Sequence, residues 1–195
     1  MEAGTGSAEW LREEFFGVDL GDRRLDRRLI KTAESLGKSP ASPINEACGD
    51  WANTQAAYRL FDNDKASPEA IREPHIAATV KRMVACGGPV LVAQDTVFFS
   101  YGEHPKTRGL GPIGKSNEAH DRGLIMHNAL AFTASGVPLG LLSQNIWARR
   151  DVPDEQFVEK ILRLQCTAVE EKESSKWLLA LRETVARTPK GVQVC

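Results

Sequence analysis

VLVAQDTVFFSY, residues 90–101, decides how the second half of the chain folds. It opens as an uncharged run of Val, Leu, Val and Ala. It then carries one acid, Asp95, and closes on two Phe, a Ser and a Tyr. Gly87, Gly88 and Pro89 bound it upstream, so the run reads as a buried strand. A carboxylate inside such a strand is expensive to desolvate unless it meets a metal ion, a cation or several donors. Asp95 is therefore a candidate functional acid. The competing reading is a structural Asp that holds backbone N–H groups at a strand bend.

Downstream, residues 102–123 form a long loop with five Gly, two Pro and the basic residues Lys106, Arg108, Lys115 and Arg122. A loop of that length in a compact domain is usually functional or disordered. Residues 124–133 read as a second strand, Ala134, Ser135 and Gly136 as a hairpin turn, and residues 137–147 as a third strand. Asp151, Pro153 and Asp154 open a helical region that runs to Val185, with a break near residues 170–175. Trp177, Leu178, Leu181 and Val185 mark its apolar face. TPKG (188–191) ends it, and VQVC (192–195) starts a fourth strand, which after a crossover helix can pair in parallel beside the first. Strand, strand, strand, helix, strand is the order of the RNase H-like fold. There, acids on the first and fourth strands hold a pair of metal ions that activate the attacking water or 3′-hydroxyl.

Upstream, the pattern is helical throughout. Trp10, Leu11, Phe15 and Phe16 mark a short amphipathic helix, and Asp22 is a candidate N-cap for the next. That second helix, residues 23–37, places Leu25, Leu29, Ala33 and Leu36 on one face and Arg23, Arg24, Arg27, Arg28, Lys31 and Lys38 on the other. Residues 20–38 hold six basic and three acidic side chains. One reading is a solvated face laced with i,i+4 ion pairs. The other is a helix laid on a phosphate backbone, with Arg and Lys as positioning contacts. SPASP (39–43) is a rigid loop. Asp50 caps a helix to about Asp62, with Trp51, Gln55, Tyr58 and Phe61 near one face and Arg59 projecting away from Tyr58. Ser67 and Pro68 open a further helix, in which Pro74 is expected to introduce a kink or a split, and His75 reads as a core or boundary histidine.

The chain has 195 residues, 42% hydrophobic and 26% charged, with a net charge of −1. These values suit a soluble globular protein, and any nucleic-acid partner must be met by local patches. Cys48, Cys86, Cys166 and Cys195 form no CxxC pair and read as reduced thiols of a cytoplasmic protein. No apolar run approaches the ~18 residues of a membrane span, and the N-terminus has no signal-peptide pattern.

Five stretches, in order, carry a resemblance. They are LGDRRLDRRL (20–29), TQAAYRLFDN (54–63) with SPEAIR (67–72), AQDTVFFSY (93–101), GLLSQNIWAR (140–149) and EEKESSKWL (170–178). Together the chain resembles the N-terminal part of bacterial cut-and-paste DNA transposases with a DDE motif, of the insertion-sequence-four family and its Tn-five-like branch. The resemblance implies an α + α/β architecture. Residues 1–88 would be a helical domain binding double-stranded DNA at transposon ends, and residues 89–195 the first part of an RNase H-like catalytic domain. It implies that Asp95 is the first metal-binding carboxylate, that Mg²⁺ is the cofactor, and that Arg24, Arg28, Lys38 and Arg59 contact DNA.

The same resemblance places the family's second catalytic Asp directly after the fourth strand, beyond Cys195, with the third acid and the dimerisation helices later still. The expectation is thus a truncated transposase, monomeric, that binds DNA but is inactive alone, since one carboxylate cannot hold two metal ions. Two other readings stand beside it. One is a small α/β enzyme whose Asp95 binds a metal or a polar substrate, although no GxSxG, HExxH or GxGxxG pattern supports it. The other is a structural or protein-binding module.

Overall fold

The computed structural model describes residues 6–102, 104, 106–113, 121–151, 162, 163 and 165–195. Lys115 and the helix opening expected at Pro153 and Asp154 lie outside the described residues. The chain divides into two compact units, Met1–Lys81 and Arg82–Cys195. The sequence pattern changes a few residues later, at 88/89.

The first unit is helical. Its elements are α1 (Gly6–Glu14), α2 (Arg23–Lys38), α3 (Ile44–Ala47), α4 (Trp51–Phe61) and the start of α5 (Pro68–Ala85). The starts of α2, α4 and α5 each have a local cause. Asp22 accepts the Arg24 N–H at 2.8 Å, Asp50 accepts the Asn53 N–H at 2.7 Å, and Ser67 Oγ accepts the Ala70 N–H at 3.1 Å. These bonds satisfy amides that have no partner within the helix. The core is one cluster: Leu20, Leu29, Leu60 and Ala66, with Phe15, Val18, Leu25, Ala70 and Ile71 packed against it. α5 runs on through Pro74, which removes one N–H donor without ending the helix. His75 Nδ1 pairs with Glu14 Oε2 at 2.7 Å and ties α5 to the end of α1.

α4 departs from the simplest expectation for an aromatic stripe. Its inward side chains are Thr54, Ala57 and Leu60, and its aromatic residues Trp51, Tyr58 and Phe61 stay exposed. Leu60, with Thr54 and Ala57, fills the inner side of the helix, and the rings stay outside the core.

Among the described residues, the second unit has a sheet with a helix packed against it. Its strands are β1 (Val90–Ser100), β2 (Gly111–Pro112), β3 (Arg122–Thr133) and β4 (Pro138–Trp147). β1 pairs antiparallel with β3 along its whole length, from Val90 opposite Thr133 to Ser100 opposite Gly123. β4 pairs antiparallel with the other edge of β3, with irregularities after Ala129 and Ala131, and β2 extends that edge at Gly123 and Arg122. The loop expected at residues 102–123 thus contains a two-residue strand. A Cβ at Gly123 would overlap the Phe99 carbonyl oxygen, so the close approach of β1 and β3 requires glycine there. The β3–β4 turn is closed by Thr133 N–H to Val137 O at 2.8 Å, with Gly136 at φ +86°.

A 3-10 turn, Val169–Glu171, precedes α6 (Ser175–Arg187). α6 packs on β3 and β4 through Ala180 and Thr184, both buried. Trp177, Leu178, Leu181 and Val185, expected from the sequence as its apolar contact face, are about half exposed. Of these, Trp177 still reaches the sheet, its ring against the buried His127. After α6 the chain returns to β1. The Val90 N–H donates to Gln193 O, the Cys195 N–H to Val90 O and the Val92 N–H to Cys195 O, each at 2.9 Å, with Val194 beside Val90 in parallel. The start of a parallel fourth strand is therefore present.

Between the sheet and α6 lies His127, fully buried. Its Nδ1 meets Thr96 Oγ1 at 2.8 Å, its Nε2 meets Gln94 Oε1 at 3.1 Å, and the Trp177 ring stands edge-on to it at 4.5 Å. A neutral imidazole satisfies both bonds, accepting from the Thr96 hydroxyl and donating to the Gln94 carbonyl oxygen. Burial holds its pKa below the ordinary 6.5. The Lys176 ammonium lowers it further, against a smaller opposing pull from Asp95. The unfolded chain therefore takes up a proton that the folded state refuses. Stability is full above about pH 6.5 and falls as the pH drops from there toward the lowered folded value. Urea midpoints measured between pH 7.5 and pH 5 are expected to fall with pH, and to fall less in His127→Gln. An identical pH profile in the two proteins would contradict the assignment.

Candidate nucleic-acid interface

α2 is anchored at its start by two carboxylates. Asp22 caps it, and Asp26 Oδ1 accepts the Leu20 N–H at 2.9 Å. Both acids are thus occupied with backbone donors and not with arginines. With Leu29 and Thr32 buried and Leu25 and Leu36 half-buried, the opposite side of the helix is fixed outward. Arg23, Arg24, Arg27, Lys31 and Lys38 are all exposed there. The only ion pair α2 makes among the described residues is Lys38 with Glu34, at 2.8 Å. That pair holds the Glu34 carboxyl below its usual range. A face laced with i,i+4 ion pairs is therefore not what the sequence builds.

Arg28 is half-buried and donates to Asn53 Oδ1 of α4 at 3.2 Å. Asn53 is in turn held by the Asp50 cap, donating from its backbone N–H and from Nδ2 at 2.6 Å. The Asp50 carboxyl is lowered chiefly by that backbone bond, with the Lys31 charge contributing. The basic edge of α2 at Arg28 and Lys31 therefore adjoins the first turn of α4. Arg59 lies exposed on α4, and neither it nor Arg24 has a side-chain hydrogen bond or ion pair among the described residues.

The four cations singled out by resemblance do not form a tight cluster. Arg24 and Arg28 are one turn apart. Lys38 stands 14 residues beyond Arg24, roughly 21 Å along the axis at ~1.5 Å per residue. Arg59 follows Asn53 by six positions on α4. Such a spread suits a long repeating anion better than a small one. Arg23, Arg27 and Lys31 share the same exposed face, and helical spacing alone is the signal that finds them.

Asp95 lies in the second unit. On β1 the even positions Val92, Gln94 and Thr96 turn toward the His127 side, and the odd positions turn to the other face of the sheet, where Asp95 is exposed together with Leu91, Val97 and Phe99. The desolvation cost expected of an acid in a buried strand is therefore not incurred. Across the sheet, Asn128 stands opposite Asp95 and Gln144 opposite Asn128, and Gln144 Nε2 donates to Asn128 Oδ1 at 3.0 Å. Among the described residues no group of three or more His, Cys, Asp or Glu side chains could hold a metal ion. One carboxylate beside two amides is not by itself the donor set of a two-metal phosphodiester site.

Residues 7–66 match the family described as "Transposase DNA-binding". The match runs from α1 to just before α5 and so takes in α2, Asn53 and Arg59. It supports a transposase, with DNA binding as the role of this helical region. No helix among the described residues is long and apolar enough to cross a membrane.

Proposed function

We propose that the outward face of α2 lays the helical unit on the phosphate backbone of double-stranded DNA at a transposon end, in the manner of the insertion-sequence-four transposases. Arg24 and Arg28 would neutralise phosphates near the α2–α4 junction, Lys38 would do so at the far end of α2, and Arg59 from α4. The observation that carries this reading is the exposed basic face of α2 with a single ion pair on it. A row of guanidinium and ammonium groups held outward and left mostly unpaired is poised to release counterions from a polyanion. Charge of this kind fixes orientation and affinity without reading sequence.

In the same proposal the second unit is the beginning of an RNase H-like catalytic domain, with Asp95 as its first metal-binding carboxylate. Its support is the order of the main elements among the described residues: the long antiparallel strands β1, β3 and β4, with the two-residue β2 between the first two, then α6, then a segment entering in parallel beside β1. Mg²⁺ held at such a site would activate the attacking oxygen and stabilise the leaving one. Asp95 does not make that site alone, and no cleavage step is assigned to these residues.

Two outcomes are expected. Anisotropy titrations with a mixed-sequence duplex should show affinity falling steeply with salt, and Arg24→Ala should reduce the log–log salt slope by about 1. Salt-independent binding, or an unchanged slope in Arg24→Ala, would contradict the interface. With Mg²⁺ or Mn²⁺, a polypeptide of these 195 residues should neither nick nor join end-bearing DNA. Cleavage that disappears in Asp95→Ala would show a working site.

A further inference from the structure

The basic face explains affinity for DNA and leaves sequence preference unassigned. α4 offers a separate surface. Trp51, Gln55 and Tyr58, at spacings of four and three, form one stripe on its outer side, with Trp51 71% and Tyr58 53% exposed. Of the inward positions, Ala57 and Leu60 lie well round the helix from that stripe, and Thr54 borders it, one turn from both Trp51 and Tyr58. Two large amphipathic rings held in water on a rigid helix are a costly arrangement for a monomer and a common one at a binding surface. From Trp51 to Phe61 the only charged residue is Arg59, and the acids lie at the two ends of the helix, Asp50 in the cap that holds Asn53 and Asp62 at the C-cap. The stripe begins where α4 adjoins the basic edge of α2, through Arg28 on Asn53 and Lys31 near Asp50.

Resting on the DNA reading above, we infer that the two helices divide the work: α2 holds phosphates, and α4 presents Gln55, Tyr58 and Trp51 to base edges of the same duplex. The partner is double-stranded DNA, entered through the major groove, which is wide enough for a helix. Gln55 has a donor and an acceptor on one amide, the pair needed to bond adenine at N6 and N7 together. The faces of Trp51 and Tyr58 supply apolar contact to a thymine methyl or to the sugar edge. Because these three side chains are uncharged, they add discrimination without adding to the salt dependence.

The test is a selection from a randomised duplex pool of roughly 20 bp at about 0.15 M salt, using the full chain. It is run on the wild type, Gln55→Ala, Tyr58→Ala and Arg24→Ala, with circular dichroism confirming that the helices are retained. Gln55 and Tyr58 are exposed, and either variant alone decides the question. The wild type should enrich a motif. Gln55→Ala and Tyr58→Ala should each lose about tenfold in preference at one or two positions while keeping the wild-type salt slope. Arg24→Ala should keep the motif and bind more weakly to every sequence. If both α4 variants enrich the wild-type motif with undiminished preference, base reading by α4 is wrong and the DNA-binding reading stands. If wild-type binding is independent of salt and enriches nothing, both fall.

Discussion

Leu29 of α2 and Leu60 of α4 are buried in one cluster with Leu20 and Ala66, and the rest of the helical unit depends on that burial. Fully burying a leucine contributes about 2 kcal/mol, more than any single surface ion pair on these helices. Once the stripe of Leu25, Leu29 and Leu36 points inward, geometry leaves α2 no choice about its arginines. They sit on the opposite side, and guanidinium groups cannot follow the leucines into the core without a partner for each charge. The Asp22 and Asp26 carboxylates, which might have neutralised them, are engaged by backbone amides instead. The basic face is thus a consequence of core packing and capping acting together. The partner it implies is one whose charge repeats along the helix.

In the sheet unit the organising contact is the seat of α6 on β3 and β4. Ala180 and Thr184 allow the helix to lie close, and His127 fills the layer between, bonded to Thr96 and Gln94 and bordered by Trp177. One face of the sheet is covered by this helix. The other carries Leu91, Val97 and Phe99 on β1, exposed, with the polar row Asp95, Asn128 and Gln144 across its middle. Asp95 thus stands mid-strand on the exposed face of the sheet. Ion pairs fix the far end of this unit: Arg149 grips Glu173 at 2.6 Å and Arg122 grips Asp151 at 2.7 Å. Each holds its carboxyl below the usual range.

Much of this was legible in the sequence because it follows from short-range chemistry. Asp22, Asp50 and Ser67 announced helix starts, residues 124–133 read as a strand, and Ala134-Ser135-Gly136 announced the turn after it. The return of residues 192–195 beside β1 was expected because a strand that follows a crossover helix can pair in parallel with the first strand. What was not legible depended on side-chain size across a contact. Apolar periodicity marks Trp177, Leu178, Leu181 and Val185 as a face, but it cannot say that only Trp177 of these would reach the buried His127, with Ala180 and Thr184 buried beside it. Likewise, Asp95 sits in a run that looks buried on both sides, and only the position of α6 on one face shows that its own face is open. The basic face could be drawn on a helical wheel. That its arginines would stay unpaired could not, because it depended on which donors reached Asp22 and Asp26 first.

The central claim is that α2, backed by α4, is the surface that meets DNA. Amide chemical shifts of the labelled chain, followed during titration with duplex DNA, test it most directly. The account predicts perturbations concentrated on the exposed side of α2, on the Asn53 junction and along Trp51, Gln55 and Tyr58, while the amides around His127 stay still. Shifts confined to the sheet unit, with α2 unmoved at saturation, would contradict it.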